Sequence, residues 1–170
     1  FTPQDALPYW IKAQTLAELG QLTEALKTVN TALKLEPKVP EYRLTRAQIV
    51  GQLGQYKEAV QLTESVLNTE GILPETRARA LCQLGDLIAG GPAPDFEKST
   101  KLHVDAIAVA APLSLEKRFA VRRTAKDILI DAHLGVALDI ASGNWRRQEE
   151  VVPKWLNCAD ALAKDVVANE

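Results

Sequence analysis

Ala17-Glu18-Leu19-Gly20-Gln21-Leu22-Thr23-Glu24-Ala25-Leu26-Lys27 returns 34 residues further along as Gly51-Gln52-Leu53-Gly54-Gln55-Tyr56-Lys57-Glu58-Ala59-Val60-Gln61. Leu19, Gly20, Gln21, Glu24 and Ala25 recur unchanged as Leu53, Gly54, Gln55, Glu58 and Ala59, and Leu33 recurs as Leu67. Upstream, Ala13 and Gln14 recur as Ala47 and Gln48, so the register extends into the preceding segment. A match this long at one offset marks a duplicated structural unit, and periods of about 20–50 residues belong to stacked repeat architectures.

Each unit predicts two helices with a glycine turn between them. In the first copy they cover about 9–19 and 23–35, and Gly20 sits where the chain reverses and positive φ costs a glycine little. On the second helix Leu22, Leu26, Val29 and Leu33 recur at helical spacing and form one apolar stripe. Ala25 and Ala59 fall where two helices must approach closely, and Pro37 and Pro40 are expected to stop the second helix.

This unit resembles the tetratricopeptide repeat, a helix-turn-helix of 34 residues. In the first copy Tyr9, Ala13, Leu16, Gly20, Ala25, Ala32 and Pro37 match the family's consensus positions; in the second, Ala47, Gly54, Tyr56 and Ala59 do. Lys12 and Arg46 stand where the family usually has Leu, Arg43 where it usually has an aromatic residue, and Gly71 where it closes with Pro. A looser third copy covers about 78–112, with Leu81, Leu84, Gly85 and Ile88 at the motif's spacing and a lengthened turn at Gly90-Gly91-Pro92-Ala93-Pro94-Asp95. The remainder predicts an atypical pair: a long helix over about 115–141, a turn at Ser142-Gly143-Asn144, and a last helix ending near Val167. Such a pair reads as a capping element of a solenoid. Pro153 lies inside the last helical pattern, which either begins just before it or is kinked there. The expected fold is therefore all-α: a single domain over 1–170, with repeats at about 6–39, 40–73 and 78–112 and a capping pair at about 115–167. The resemblance implies about eight helices in antiparallel pairs, wound as a right-handed superhelix.

Composition agrees with a folded body. The 170 residues are 46% hydrophobic and 25% charged, and no apolar run approaches the roughly 18 residues a membrane span requires. No Met is present, so the chain reads as a piece of a longer one, and a cytoplasmic setting is expected. Twenty basic residues face 22 acidic ones, with no basic excess in either half, which argues against nucleic-acid binding. Lys117, Arg118, Arg122, Arg123 and Lys126, with Arg146 and Arg147, form two basic clusters diluted by acids, and read as solvated faces with ion pairs along the helix.

Catalytic and metal signatures are not found in the spacing. Cys82 and Cys158 lack a close-spaced partner and read as two small buried hydrophobes. His103 and His133 are each isolated from any Cys. Asp127, Asp131 and His133 come nearest to a cluster, but His133 lies about 200° round the helix from Asp131. No enzyme activity, cofactor or metal is expected.

What remains is a surface. The resemblance implies an inner groove lined by the first helix of each unit, here by Leu7, Trp10, Gln14 and Glu18, then Glu41, Leu44, Gln48 and Gln52, then Arg79, Cys82 and Asp86. From these, Leu7, Trp10, Gln14, Leu44, Gln48, Gln52, Arg79 and Asp86 are the expected contacts of a peptide or protein segment on the concave face. Family members that clamp the terminal carboxylates of heat-shock chaperones use basic and amide residues at fixed groove positions. Those positions hold Trp10, Gln14, Thr45, Arg79 and Gln83, so only Arg79 keeps the sign and that ligand is not expected. Trp10 either anchors a ligand, or covers the end of the solenoid or packs on a repeat upstream of this fragment. The expected function is a non-catalytic interaction scaffold, with homodimerisation or a spacer role in a larger protein as the alternative and a metal-dependent or other enzyme as a remote one.

Overall fold

The computed structural model describes residues 5–143 and 148–168, and every regular element among them is an α-helix. Eight are present: α1 (Ala6–Glu18), α2 (Leu22–Leu35), α3 (Pro40–Gln52), α4 (Tyr56–Leu67), α5 (Pro74–Gly90), α6 (Phe96–Leu113), α7 (Phe119–Gly143) and α8 (Gln148–Ala168). They divide into two compact units at Ile72/Leu73, each with four helices.

In the first unit the duplication is reproduced bond for bond at the turns. Gly20 has φ +74° and Gly54 φ +81°, the left-handed region where a side chain would be strained. Around Gly20, the Gln21 N–H donates to Leu16 O at 2.8 Å and the Gly20 N–H to Ala17 O at 3.0 Å. Around Gly54, the Gln55 N–H donates to Val50 O and the Gly54 N–H to Gly51 O, both at 2.9 Å. Each is the paired bond that closes a helix C-terminus on a left-handed residue, satisfying carbonyls the helix leaves without partners.

The cores of these hairpins are built from small residues. Ala13, Leu16, Ala25, Val29 and Ile49 pack together from α1, α2 and α3, and Ala6, Ala32 and Tyr42 form a second cluster with Trp10 and Leu33 against it. Ala25 and Ala59 are fully buried, as close helix approach requires. Lys12 and Arg46, the departures from the family's usual Leu, acquire a reason. Lys12 pairs with Glu24 at 3.4 Å and Arg46 with Glu58 at 2.6 Å, each joining the two helices of its own hairpin across twelve residues. Both members of each pair recur at the 34-residue offset.

Two sequence expectations are corrected here. Pro40 does not stop α2, which ends at Leu35; it is the first residue of α3. Pro74, again 34 residues on, opens α5, so the third hairpin starts there and not near Ala78. Proline is favoured at that position because the first turn's N–H groups lack helical acceptors anyway and φ is already set.

In the second unit the pattern loosens. α5 runs for 17 residues, through the place where the first two hairpins turn, and the longer loop ends at Asp95, whose side chain accepts from the Lys98 N–H at 2.9 Å and so caps α6. Ala78, Ala110, Ile128 and Leu129 form the core from α5, α6 and α7, with Leu162 of α8 packed on it. Pro153 lies inside α8, which begins at Gln148, so the helix does not start at the proline. Of the turn expected at Ser142-Gly143-Asn144, Gly143 belongs to α7 and Asn144 lies outside the described residues.

Candidate functional site

The expected groove positions divide between accessible and enclosed. In the first unit, α1 turns Ala6, Ala13 and Leu16 inward and leaves Leu7, Ile11 and Glu18 exposed, with Gln14 half-buried. On α3, Gln48 and Gln52 are exposed and Glu41 is half-buried. Leu44 is only 2% exposed, so it is a core residue where a contact surface was expected. Trp10 is half-buried and committed within its own unit: its indole N–H donates to Thr45 Oγ1 at 2.8 Å, and its ring lies 5.4 Å from that of Tyr42. That packing and hydrogen bond account for the covered part of the ring. In the second unit, Arg79 and Asp86 are exposed on α5, and Cys82 between them is buried.

Other expectations fall out differently. Asp127, Asp131 and His133 are not assembled into a site: Asp127 pairs with Arg123 at 3.2 Å, while His133 bonds Leu129 O at 2.6 Å through Nδ1 and packs its ring 5.4 Å from Trp155. Arg122 donates to Glu116 O at 2.9 Å and lies over Phe119, and Lys126 pairs with Asp165, so the first basic cluster is largely tied down within its unit. Arg146 and Arg147 lie outside the described residues. Cys158 is exposed, a correction to the expectation that both cysteines are buried.

The arrangement that spacing did not reveal surrounds His103. This residue of α6 is 1% exposed, and its ring is wedged between Gly85 of α5 and Gly135 of α7. A Cβ at Gly85 would stand 2.7 Å from His103 Nε2, and one at Gly135 would stand 2.5 Å from both Nε2 and Cε1. The two glycines therefore exist, in packing terms, as a slot for an imidazole. Nδ1 is 2.9 Å from Asp139 Oδ2, and Asp139 is itself 2% exposed; Nε2 is 3.2 Å from Asp86 Oδ1. Ser99 lies alongside and donates to Gly85 O at 2.9 Å.

The electrostatics follow from this enclosure. Burial alone would drive the ring to its neutral form, but the bonds to Asp139 and Asp86, with a contribution from Cys82, outweigh it and push the His103 pKa up to about 11. At neutral pH the ring is an imidazolium, and both nitrogens donate to carboxylates. Burial pushes the Cys82 thiol up, against the neighbouring His103 that pulls it down. The Asp131 carboxyl is raised by desolvation and by the charges of Asp86 and Asp127, with Arg79 opposing. Cys82, Asp86 and His103 bring one ligand atom each to within 4.8 Å of one another. The sequence reading that isolated His103 from any cysteine is thus corrected. Cys82 and Asp86 are one turn apart, but His103 arrives from another helix, and nothing in linear spacing joins them. The available signal was two glycines, Gly85 and Gly135, inside long helices where glycine is unfavourable without a packing reason.

No family model and no curated protein matches the chain. Among solved structures, that of YrrB, described as a TPR protein with an unusual peptide-binding site, superposes with a TM-score of 0.50 at 16% identity, over 95% of this chain and 88% of that one. At that identity the likeness bears on the fold. The all-helical chain, with its repeated hairpins, is similar in architecture to a tetratricopeptide-repeat protein and folds as a helical solenoid.

Proposed function

We propose that the chain is a member of the tetratricopeptide-repeat family and a non-catalytic scaffold that holds an extended segment of a partner protein on the face left open by the first helices of its hairpins. The reading takes residues 1–170 as one domain, with two regular repeats, a divergent third and an atypical C-terminal pair in a cytoplasmic protein. The observation that carries it is the open face of the first unit. Leu7 and Ile11 on α1 and Gln48 and Gln52 on α3 are exposed beside a tightly packed interior. Gln14 and Gln48 occupy the same place in successive hairpins. An amide can both donate to and accept from a peptide backbone, so it suits an extended ligand without fixing its sequence, while Leu7 and Ile11 supply apolar area. The peptide-binding site in the description of YrrB supports the same class of ligand. On the second unit Arg79 and Asp86 are the accessible members of the proposed set, and Leu44 and Trp10 act as its support.

The test is selection of peptides from a displayed random library on the purified chain. The Gln14→Ala, Gln48→Ala double variant should weaken the selected peptides by about tenfold or more, and Gln61→Ala, exposed on α4, should leave them unchanged. A library that enriches nothing, or peptides indifferent to the double variant, defeats this reading. Light scattering on the same sample separates it from homodimerisation.

A further inference from the structure

We propose that Cys82, Asp86 and His103 form a site for a divalent transition-metal ion of the zinc class, with Asp139 as the carboxylate that orients the histidine. The site shares Asp86 with the proposed peptide-binding set, but its other donors, Cys82 and His103, are buried, and it does not depend on peptide binding. Its donors are one thiol, one carboxylate and one imidazole, the set that zinc takes, whereas magnesium and calcium select oxygen alone. Cys82 and Asp86 stand one helical turn apart on α5, which places their side chains on one face, and α6 delivers His103 to them. The three donor atoms lie within 4.8 Å of one another, and Nε2 and Asp86 Oδ1 are already 3.2 Å apart. A tetrahedral ion with bonds of about 2.0–2.3 Å sets its ligands about 3.3–3.8 Å from each other, so small side-chain adjustments suffice.

The surroundings match as well. Metal-bound histidines almost always engage a carboxylate or carbonyl through the other ring nitrogen. Here Asp139 holds Nδ1 at 2.9 Å, and the glycine slot holds the ring with Nε2 3.2 Å from Asp86 Oδ1. An ion takes the place of two protons, the one on Nε2 and the one on the Cys82 thiol, and both are released to solvent on binding. The floor of the site is buried, while the side chain of Asp86 is 64% exposed, which gives an entry path and leaves the fourth position to water. Asp127 and Asp131 of α7 add negative charge close by, with Arg79 as the opposing cation, and a divalent ion relieves the mutual repulsion of Asp86 and Asp131.

The experiment uses the whole chain stripped with a chelator. Zn²⁺ is titrated calorimetrically, and Co²⁺ by absorption, where a thiolate-to-cobalt charge-transfer band reports cysteine ligation. One ion per chain with that band is expected. Cys82→Ser removes the band and Cys158→Ser keeps it. Asp86→Asn, whose amide oxygen can still accept from His103 Nε2 at this largely exposed position, weakens binding about tenfold or more. Asp139→Asn weakens it about 10–100-fold with the band retained. If Cys82→Ser fails to fold, the wild-type band with Cys158→Ser and Asp86→Asn still decides. A chain that takes up no ion, a cobalt complex without the thiolate band, or a band abolished by Cys158→Ser overturns the proposal.

Discussion

The two units hold themselves together by different means. The first repeats one solution: small residues where helices touch, a glycine at positive φ to close each first helix, and an ion pair across each hairpin, exposed in the first and half-buried in the second. The second has a charged, hydrogen-bonded knot at its centre, in which an imidazolium sits between two glycines and binds two carboxylates. The first arrangement is tolerant, because each apolar contact is worth little alone and no ionised group is fully enclosed. The second is not, since a charge 1% exposed must keep its partners. The difference teaches that regular repetition gives a scaffold, while the departures from it concentrate chemistry.

That contrast is best attacked at Asp139. Asp139→Ala leaves His103 buried without its principal partner and should cost about 3–5 kcal/mol in denaturant unfolding, the largest single effect expected in the molecule. A loss under about 1 kcal/mol would show that the knot is not structural. Gly135→Ala tests the same slot sterically. Its Cβ meets His103 at 2.5 Å, and a cost of about 1–3 kcal/mol or more is expected, against a gain of up to about 1 kcal/mol from helix propensity if the ring can move aside.

In the first unit the corresponding overpacking test is Ala25→Trp or Ala59→Trp, also about 1–3 kcal/mol or more. Both variants melting with the wild type would mean that the hairpins are not close-packed there. Gly20→Ala and Gly54→Ala probe the turns. Nothing lies within 4 Å of either Cβ, so the expected penalty is the left-handed backbone alone, about 1–2 kcal/mol at each, and equal at the two because the turns are the same. A marked inequality would break the claim of equivalence between the hairpins.

The smallest effect is reserved for the wet ion pair. Lys12→Ala, whose side chain and whose partner Glu24 are both largely exposed, should move stability by no more than about 0.5 kcal/mol and lose even that in high salt.

The sequence by itself determined the hairpins of the first unit. Gly20 and Gly54, Ala25 and Ala59, and the stripe through Leu22, Leu26, Val29 and Leu33 each act within a few residues of themselves, so their spacing is also their structure. Pro40 and Pro74 share the 34-residue period and each opens a helix, so the start of the third hairpin is also written in the sequence. Leu7, Gln48 and Gln52, named through the resemblance, are exposed on their helices. Leu44 and Trp10 are not, because how deeply a side chain is covered depends on what packs over it, which periodicity along one helix does not encode. Only the tertiary structure decided the knot of Cys82, Asp86, His103 and Asp139. Those residues come from three helices, separated by 36 positions between His103 and Asp139, and their meeting depends on two glycines that clear a ring-sized space. Charge, protonation and ligand geometry are properties of that meeting, set by burial and distance, and no single stretch of chain contains them.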